Sequence, residues 1–185
     1  LEQYHRRHKY LDLTRWYPKA VQLVIDLDIH LSSKPLKILD LGSGAGLFLF
    51  VCKNLGHKVL GLDIDIEPIY AEVFELLNLP PRVIHQISKF KPLPEFTDKF
   101  DIITSFMVCF NNWFEETPWG VKEWDFLLKD ISRHLSKNGR VIFSLNRNTY
   151  GKIYTDELKE LFLQKGAILK NNFVYFPAKG KLNEK

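Results

Sequence analysis

The chain has 185 residues, 45% of them hydrophobic, with 25 aromatic side chains (4 Trp, 7 Tyr, 14 Phe) and a formal net charge of +4. That length suits one globular domain, and the apolar content excludes an intrinsically disordered chain. No window approaches ~18 uninterrupted apolar residues and residues 1–8 (LEQYHRRH) lack the apolar stretch of a secretory signal, so a soluble cytoplasmic protein is expected. Residues 17–31 set Val21, Val24, Ile25 and Ile29 on one helical face. Residues 37–41 (KILDL) form a short apolar strand, a glycine cluster follows, and 47–51 open a helix that ends at Gly56. Residues 58–63 read as a second strand, 67–78 as a helix stopped by Pro80 and Pro81, 82–87 as a third strand and 100–106 as a fourth. A helix over 121–135 leads through the turn 137–139 into a fifth strand, 140–145. A last helix, 155–165, stops at Gly166 and delivers one extended segment, 168–176.

Strand and helix in alternation predict an α/β fold, a doubly wound, Rossmann-like, mostly parallel sheet with helices on both faces. Strands covered on both sides are near-continuous apolar runs, as ILDL, FDIIT and RVIFSL are. Cys52 and Cys109 lie in apolar runs and read as buried thiols of a reducing compartment. The six histidines have no ligand spacing, and no metal site is expected. Residues 1–20 carry five Lys/Arg against two acids and residues 106–126 four acids against Lys122. A nucleic-acid binder would present a dense basic stripe, and none is present. No heptad or apolar stripe assigns an oligomeric state.

The most informative stretch is 39–47, LDLGSGAGL, between the first strand and a helix. Doubly wound sheets bind ligands outside the carboxyl ends of their strands. Glycines at 42, 44 and 46 allow unusual backbone angles and let a ligand approach the main chain. A tight turn alone explains one such glycine and not three. Asp63 ends the second strand, where a carboxylate accepts hydrogen bonds from both hydroxyls of a ribose; Asp65 is the alternative, and a helix-capping carboxylate the plainer one. A dinucleotide fingerprint, G-x-G-x-x-G, would place its third glycine one residue later. Asp40 would add negative charge beside a pyrophosphate, and it suits a ligand with an ammonium group instead. No Gly-Lys-Ser/Thr follows, which excludes a P-loop.

Residues 40–46 (DLGSGAG) resemble the first motif of class I S-adenosylmethionine-dependent methyltransferases, and 60–63 (LGLD) their second. Residues 100–103 (FDII) resemble the fourth-strand motif and 135–143 (LSKNGRVIF) the run into the fifth strand, so the resemblance covers about 35–175. Residues 106–111 and 123–130 further resemble a small branch of these enzymes. The resemblance implies a single methyltransferase domain over 1–185, with 1–35 an N-terminal helical lid segment, 36–176 the cofactor-binding core and 177–185 a basic tail. It implies S-adenosylmethionine as cofactor and S-adenosylhomocysteine as product. Asp40 would lie near the amino group; Gly42, Ser43, Gly44 and Gly46 would line the methionine and ribose; Asp63 would hold the ribose hydroxyls and Ile64 flank the adenine. The family usually offers the adenine amine an acidic residue after the third strand. Here the sequence reads HQIS, so Ile87 and Ser88 stand in for it. Phe106 would reach the transferred methyl.

Methyl transfer from a sulfonium is an in-line displacement that needs alignment and sometimes a base. Residues 106–126 hold seven aromatics in 21 positions. Phe110, Trp113 and Trp119 are read as walls of an acceptor site, and Trp124 and Phe126 as the buried face of the next helix. Asn111 and Glu115 are the candidates to orient the acceptor, and Glu115 could serve as a base. Tyr4, Arg7 and Tyr10 are candidates to close over the ligand from the N-terminal segment, where His5 or His8 is a possible base. A small-molecule acceptor, a glycan or natural-product intermediate, is expected. The alternatives are an NAD(P)-dependent oxidoreductase on the same sheet type, or a non-catalytic cofactor-binding module acting with a partner protein.

Overall fold

The computed structural model describes residues 12–66, 68–107, 110, 118–147 and 151–178. They fall into two compact units divided after Ile84.

The first unit opens with helix α1, Leu13–Asp26, four residues earlier than the apolar pattern suggested. Asp12 sets the start: its carboxylate accepts from Arg15 N–H at 3.3 Å and Thr14 Oγ1–H at 2.6 Å. Pro18 therefore lies inside the helix rather than at its beginning. Asp28 is left-handed (φ 54°), so the helix ends early and Ile29 enters the core on a 3-10 turn, Ile29–Leu31. Strand β1 (Lys37–Leu41), helix α2 (Leu47–Asn54), strand β2 (Lys58–Asp63) and helix α3 (Pro68–Leu76) match the expected alternation. Within this unit β1 pairs parallel with β2, Leu41 opposite Leu62, and β2 pairs parallel with β3. Strand β3 is only Val83–Ile84, shorter than the expected 82–87. Pro80 and Pro81 donate no ladder hydrogen bond on one side of it, and polar His85 and Gln86 follow on the other. Buried His57 is structural: Nδ1 accepts from Leu36 N–H at 3.2 Å and Nε2 meets Ile29 O at 3.2 Å. Cys52 is a buried free thiol.

The second unit holds strand β4 (Phe100–Phe106), helix α4 (Val121–His134), strand β5 (Leu135–Ser144), helix α5 (Asp156–Gln164) and strands β6 (Ile168–Lys170) and β7 (Phe173–Phe176). Its strand order is β4-β5-β7-β6, with β4 and β5 parallel and the other two pairings antiparallel. The expected turn at 137–139 is absorbed into β5 as a bulge: Phe100 faces Leu135, but Ile102 already faces Arg140. Gly139 permits this, since a Cβ there would meet Phe100 O at 2.8 Å. The final extended segment is a hairpin rather than one strand, turning at left-handed Asn171 (φ 55°).

Two polar networks brace this unit. Buried Asp130 accepts from Leu93 N–H at 2.7 Å and from Arg133 at 3.1 Å, beside buried His134. At the end of β4, Met107 is left-handed (φ 60°); its N–H donates to Ser144 O at 2.7 Å and its carbonyl accepts from Asn146 Nδ2 at 2.6 Å. Asn172 Nδ2 donates to Ser144 Oγ at 2.8 Å, and Ser144 Oγ donates to Met107 Sδ at 3.4 Å. Among the described residues no helix is long and apolar enough to cross a membrane, and no His/Cys/Asp/Glu group is arranged to hold a metal ion.

Candidate functional site

The site in the first unit is built where β1 gives way to α2. Gly42 N–H donates to Leu62 O at 2.7 Å and Ser43 N–H to the same oxygen at 3.2 Å, so the glycine loop leaves β1 still tied to β2. Gly46 is the N-cap of α2 and is left-handed (φ 74°). A Cβ on it would meet Phe74 at 2.5 Å and Leu79 at 2.6 Å, so glycine is required for packing as well as for angle. Gly44 is also left-handed (φ 53°), yet a Cβ there would meet nothing within 4 Å. The loop is thus closed on its Gly46 side and open at Gly44, where a ligand can approach the backbone.

Asp63 faces that open side. Its Oδ2 accepts from Gly44 N–H at 2.5 Å and its Oδ1 from Ile64 N–H at 2.7 Å. Burial pushes the Asp63 carboxyl above the usual carboxylate range, against these two N–H donors and the nearby Arg82 guanidinium, which favour the charged form. Both oxygens keep lone pairs for further donors such as hydroxyls. Asp65, the alternative carboxylate, is exposed and accepts from Arg82 Nη2 at 3.4 Å. Asp40 is buried in β1, and its charge, second to burial itself, pushes the Cys52 thiol far up. Ser43 Oγ is buried and has no protein partner. An open glycine, an unpaired hydroxyl and two carboxylates fit a ligand that carries hydroxyl and ammonium donors.

Ile64 is exposed beside Asp63. Ile87, Ser88 and Phe106 belong to the second unit. The first two are half-buried in the loop after β3, where Ser88 Oγ donates to Gln86 O at 3.4 Å; Phe106 ends β4, opposite Ser144. Phe110 and Trp119 are buried and meet Trp124 edge to face, at 5.1 and 6.2 Å between ring centroids. Trp124 is core, as its helical position implied. Tyr4, Arg7, Tyr10, Asn111, Trp113 and Glu115 lie outside the described residues, as do His5, His8 and Cys109.

A family model described as a methyltransferase domain matches residues 13–179. The chain belongs to that family. The chain is 30% identical over 115 residues to the ribosomal protein L11 methyltransferase of Lactobacillus gasseri, covering 60% of this chain and 31% of that protein. It is 28% identical over 135 residues to the ubiquinone biosynthesis O-methyltransferase of Pelagibacter ubique, covering 71% of this chain and 52% of that protein. The chain thus spans roughly a third to a half of the length of these curated relatives. A TehB-like SAM-dependent methyltransferase from Corynebacterium glutamicum shares its fold, with TM-score 0.59 at 20% identity over 96% of this chain and 97% of that one. The fold class is the mixed, mostly parallel seven-stranded α/β sheet of class I methyltransferases, and S-adenosylmethionine is the family's cofactor. Family membership sets aside the dinucleotide-dependent oxidoreductase that the glycine loop had left open.

Sequence reasoning passed over Arg82. The available signal was a charged residue heading an otherwise apolar strand pattern, directly after two prolines.

Proposed function

We propose that the chain transfers a methyl group from S-adenosylmethionine to a small-molecule acceptor and releases S-adenosylhomocysteine. The cofactor supplies an electrophilic methyl on sulfur; the residues supply its grip and alignment. Asp40 balances the ammonium group, while Gly42, Ser43, Gly44 and Gly46 form the floor under methionine and ribose. Asp63 accepts the ribose hydroxyls, and Ile64 with Ile87 and Ser88 borders the adenine. Phe106 stands toward the methyl, with Phe110, Trp113 and Trp119 on the acceptor side. Asn111 and Glu115 orient the acceptor, Glu115 takes its proton, and Tyr4, Arg7 and Tyr10 close over it. The acceptor class we favour is a glycan or natural-product intermediate, on the ground that the sequence has no basic stripe for a nucleic acid.

The observation that carries this reading is the Asp63–Gly44 clasp: one half-buried carboxylate fixes the glycine loop and keeps lone pairs for a ribose. Asp63→Ala is expected to weaken S-adenosylhomocysteine binding by about 1–3 kcal/mol in calorimetry; unchanged affinity would refute the role. Because burial raises the Asp63 pKa and the ionised form is the acceptor, wild-type affinity should fall with acidification from above the ordinary carboxylate range. The acceptor is tested by incubating chain and labelled cofactor with a cell extract. Label in small molecules supports the proposal, label in protein overturns the acceptor class, and no transfer favours a binding module.

A further inference from the structure

Strand register places Arg82 one residue before the Leu62–Val83 pair, alongside Gly61 of β2. Neighbouring residues of parallel strands share a face, so Arg82, Gly61, Ile84 and Asp63 lie on one side of this pair. Gly61 leaves that face bare, and a Cβ on it would meet Ser43 Oγ at 2.7 Å and Phe74 at 2.9 Å. Phe74 and Ser43 therefore press against β2, and the Arg82 guanidinium lies over the Phe74 ring at 5.6 Å from its centroid. From there Nη2 reaches Asp65, just past the end of β2, at 3.4 Å, and the same cation acts on Asp63. The guanidinium is thus at the carboxyl end of the strands, where this fold class takes its ligands.

The Arg82 side chain is only 2% exposed, and its Nη1 has no hydrogen-bond partner. A desolvated cation with an idle donor is costly, and its one ion pair among the described residues is long and reaches an exposed carboxylate. Ser43 Oγ, against the same Phe74, is idle too. Two buried polar atoms beside Asp63 that no protein group satisfies suit a ligand that brings acceptors. Phosphate and carboxylate would bring a charge beside Asp63 and Asp65. A nucleoside offers neutral acceptors, its purine ring nitrogens and ribose oxygens, while its hydroxyl protons go to the carboxylate.

Resting on the cofactor reading above, we infer that Arg82 is a cofactor-binding residue, donating from Nη1 to the nucleoside of S-adenosylmethionine while Asp63 accepts from its hydroxyls. The pair reads the nucleoside from both directions of hydrogen bonding, with Phe74 under the guanidinium.

The test uses Arg82→Met, which keeps length and packing on Phe74 and removes every donor, and Arg82→Lys, which keeps the charge without the fork. Binding of S-adenosylhomocysteine and of 5′-methylthioadenosine, which has no amino-acid part, is measured by calorimetry, and unliganded stability by thermal unfolding. Arg82→Met should weaken both ligands by a similar factor, about tenfold or more, with unliganded stability unchanged or raised because a buried unpaired cation has gone. Arg82→Lys should recover part of the affinity; it also decides the matter if Arg82→Met does not fold, since unaltered binding by the Arg82→Lys variant overturns the donor role of the fork. Loss confined to S-adenosylhomocysteine moves the contact to the amino-acid carboxylate and overturns the inference, as does wild-type affinity in Arg82→Met. An effect on NADPH binding and not on these ligands overturns it as well. If wild-type chain binds neither adenosyl ligand, the cofactor reading itself falls.

Discussion

The two units spend their apolar and polar residues differently. In the second, Trp124 sits at the centre of interlocked rings, 5.1 Å from Phe110, 5.2 Å from Phe143 and 5.2 Å from Phe162. Phe176 closes the cluster against Phe162 at 6.0 Å. The first unit has no comparable cluster among its described residues; Phe74 instead fills the gap over Gly46 and Gly61 and carries a guanidinium. Three of its left-handed glycines, Gly42, Gly44 and Gly46, follow β1, with the unpaired Ser43 Oγ among them. Packing dominates one unit, and readiness for a ligand shapes the other.

That contrast can be broken by substitution. The largest effect is expected from Trp124→Ala, a loss of about 3–5 kcal/mol in denaturant unfolding with cofactor affinity intact in the folded fraction. A small loss would mean that the aromatic cluster is not the main support of its unit. Gly46→Ala should cost about 3 kcal/mol, through left-handed strain and the collision with Phe74 and Leu79. Gly44→Ala, with open space around it, should cost only the strain, about 1–2 kcal/mol, yet weaken S-adenosylhomocysteine binding more than its stability loss implies. Equal stability costs at 44 and 46 would erase the distinction between closed and open sides of the loop. The smallest effect concerns His134, whose pKa is lowered by burial, against Asp130 and Glu95, which raise it, and alongside Arg133 and Lys99. A lowered histidine pKa means that the unfolded chain takes up the proton first as pH falls. Its contribution is complete above the ordinary histidine pKa and lost on acidification below it. The melting temperature should decline from about pH 7.5 to about pH 5.5, and His134→Phe should flatten that decline.

What could be read in advance follows the range of the forces involved. Apolar periodicity and glycine stops are local, so β1, α2, β2, β4 and α5 were legible to within a residue or two. The misses came from contacts distant in sequence. Residues 137–139 look like a turn until the approach of Phe100 O to Gly139 pulls them into β5. Residues 168–176 look like one strand because Asn171 and Asn172 reveal a turn only when two strands pair around them. At the site, the glycines and Asp63 could be picked out by spacing, but the bond between Gly44 N–H and Asp63 joins residues 19 apart. Arg82 escaped notice because an arginine before a strand is ordinarily a surface residue; only Phe74, folded over Gly61, makes it a buried one.

Met107 is the only methionine in the sequence. A sample labelled solely at methionine methyl groups would therefore give one resonance, with no assignment needed. Its sulfur accepts from Ser144, its backbone is held by Ser144 and Asn146, and half of the residue is open to solvent. The chain thus carries a single methionine probe at the end of β4, held by Ser144 and Asn146.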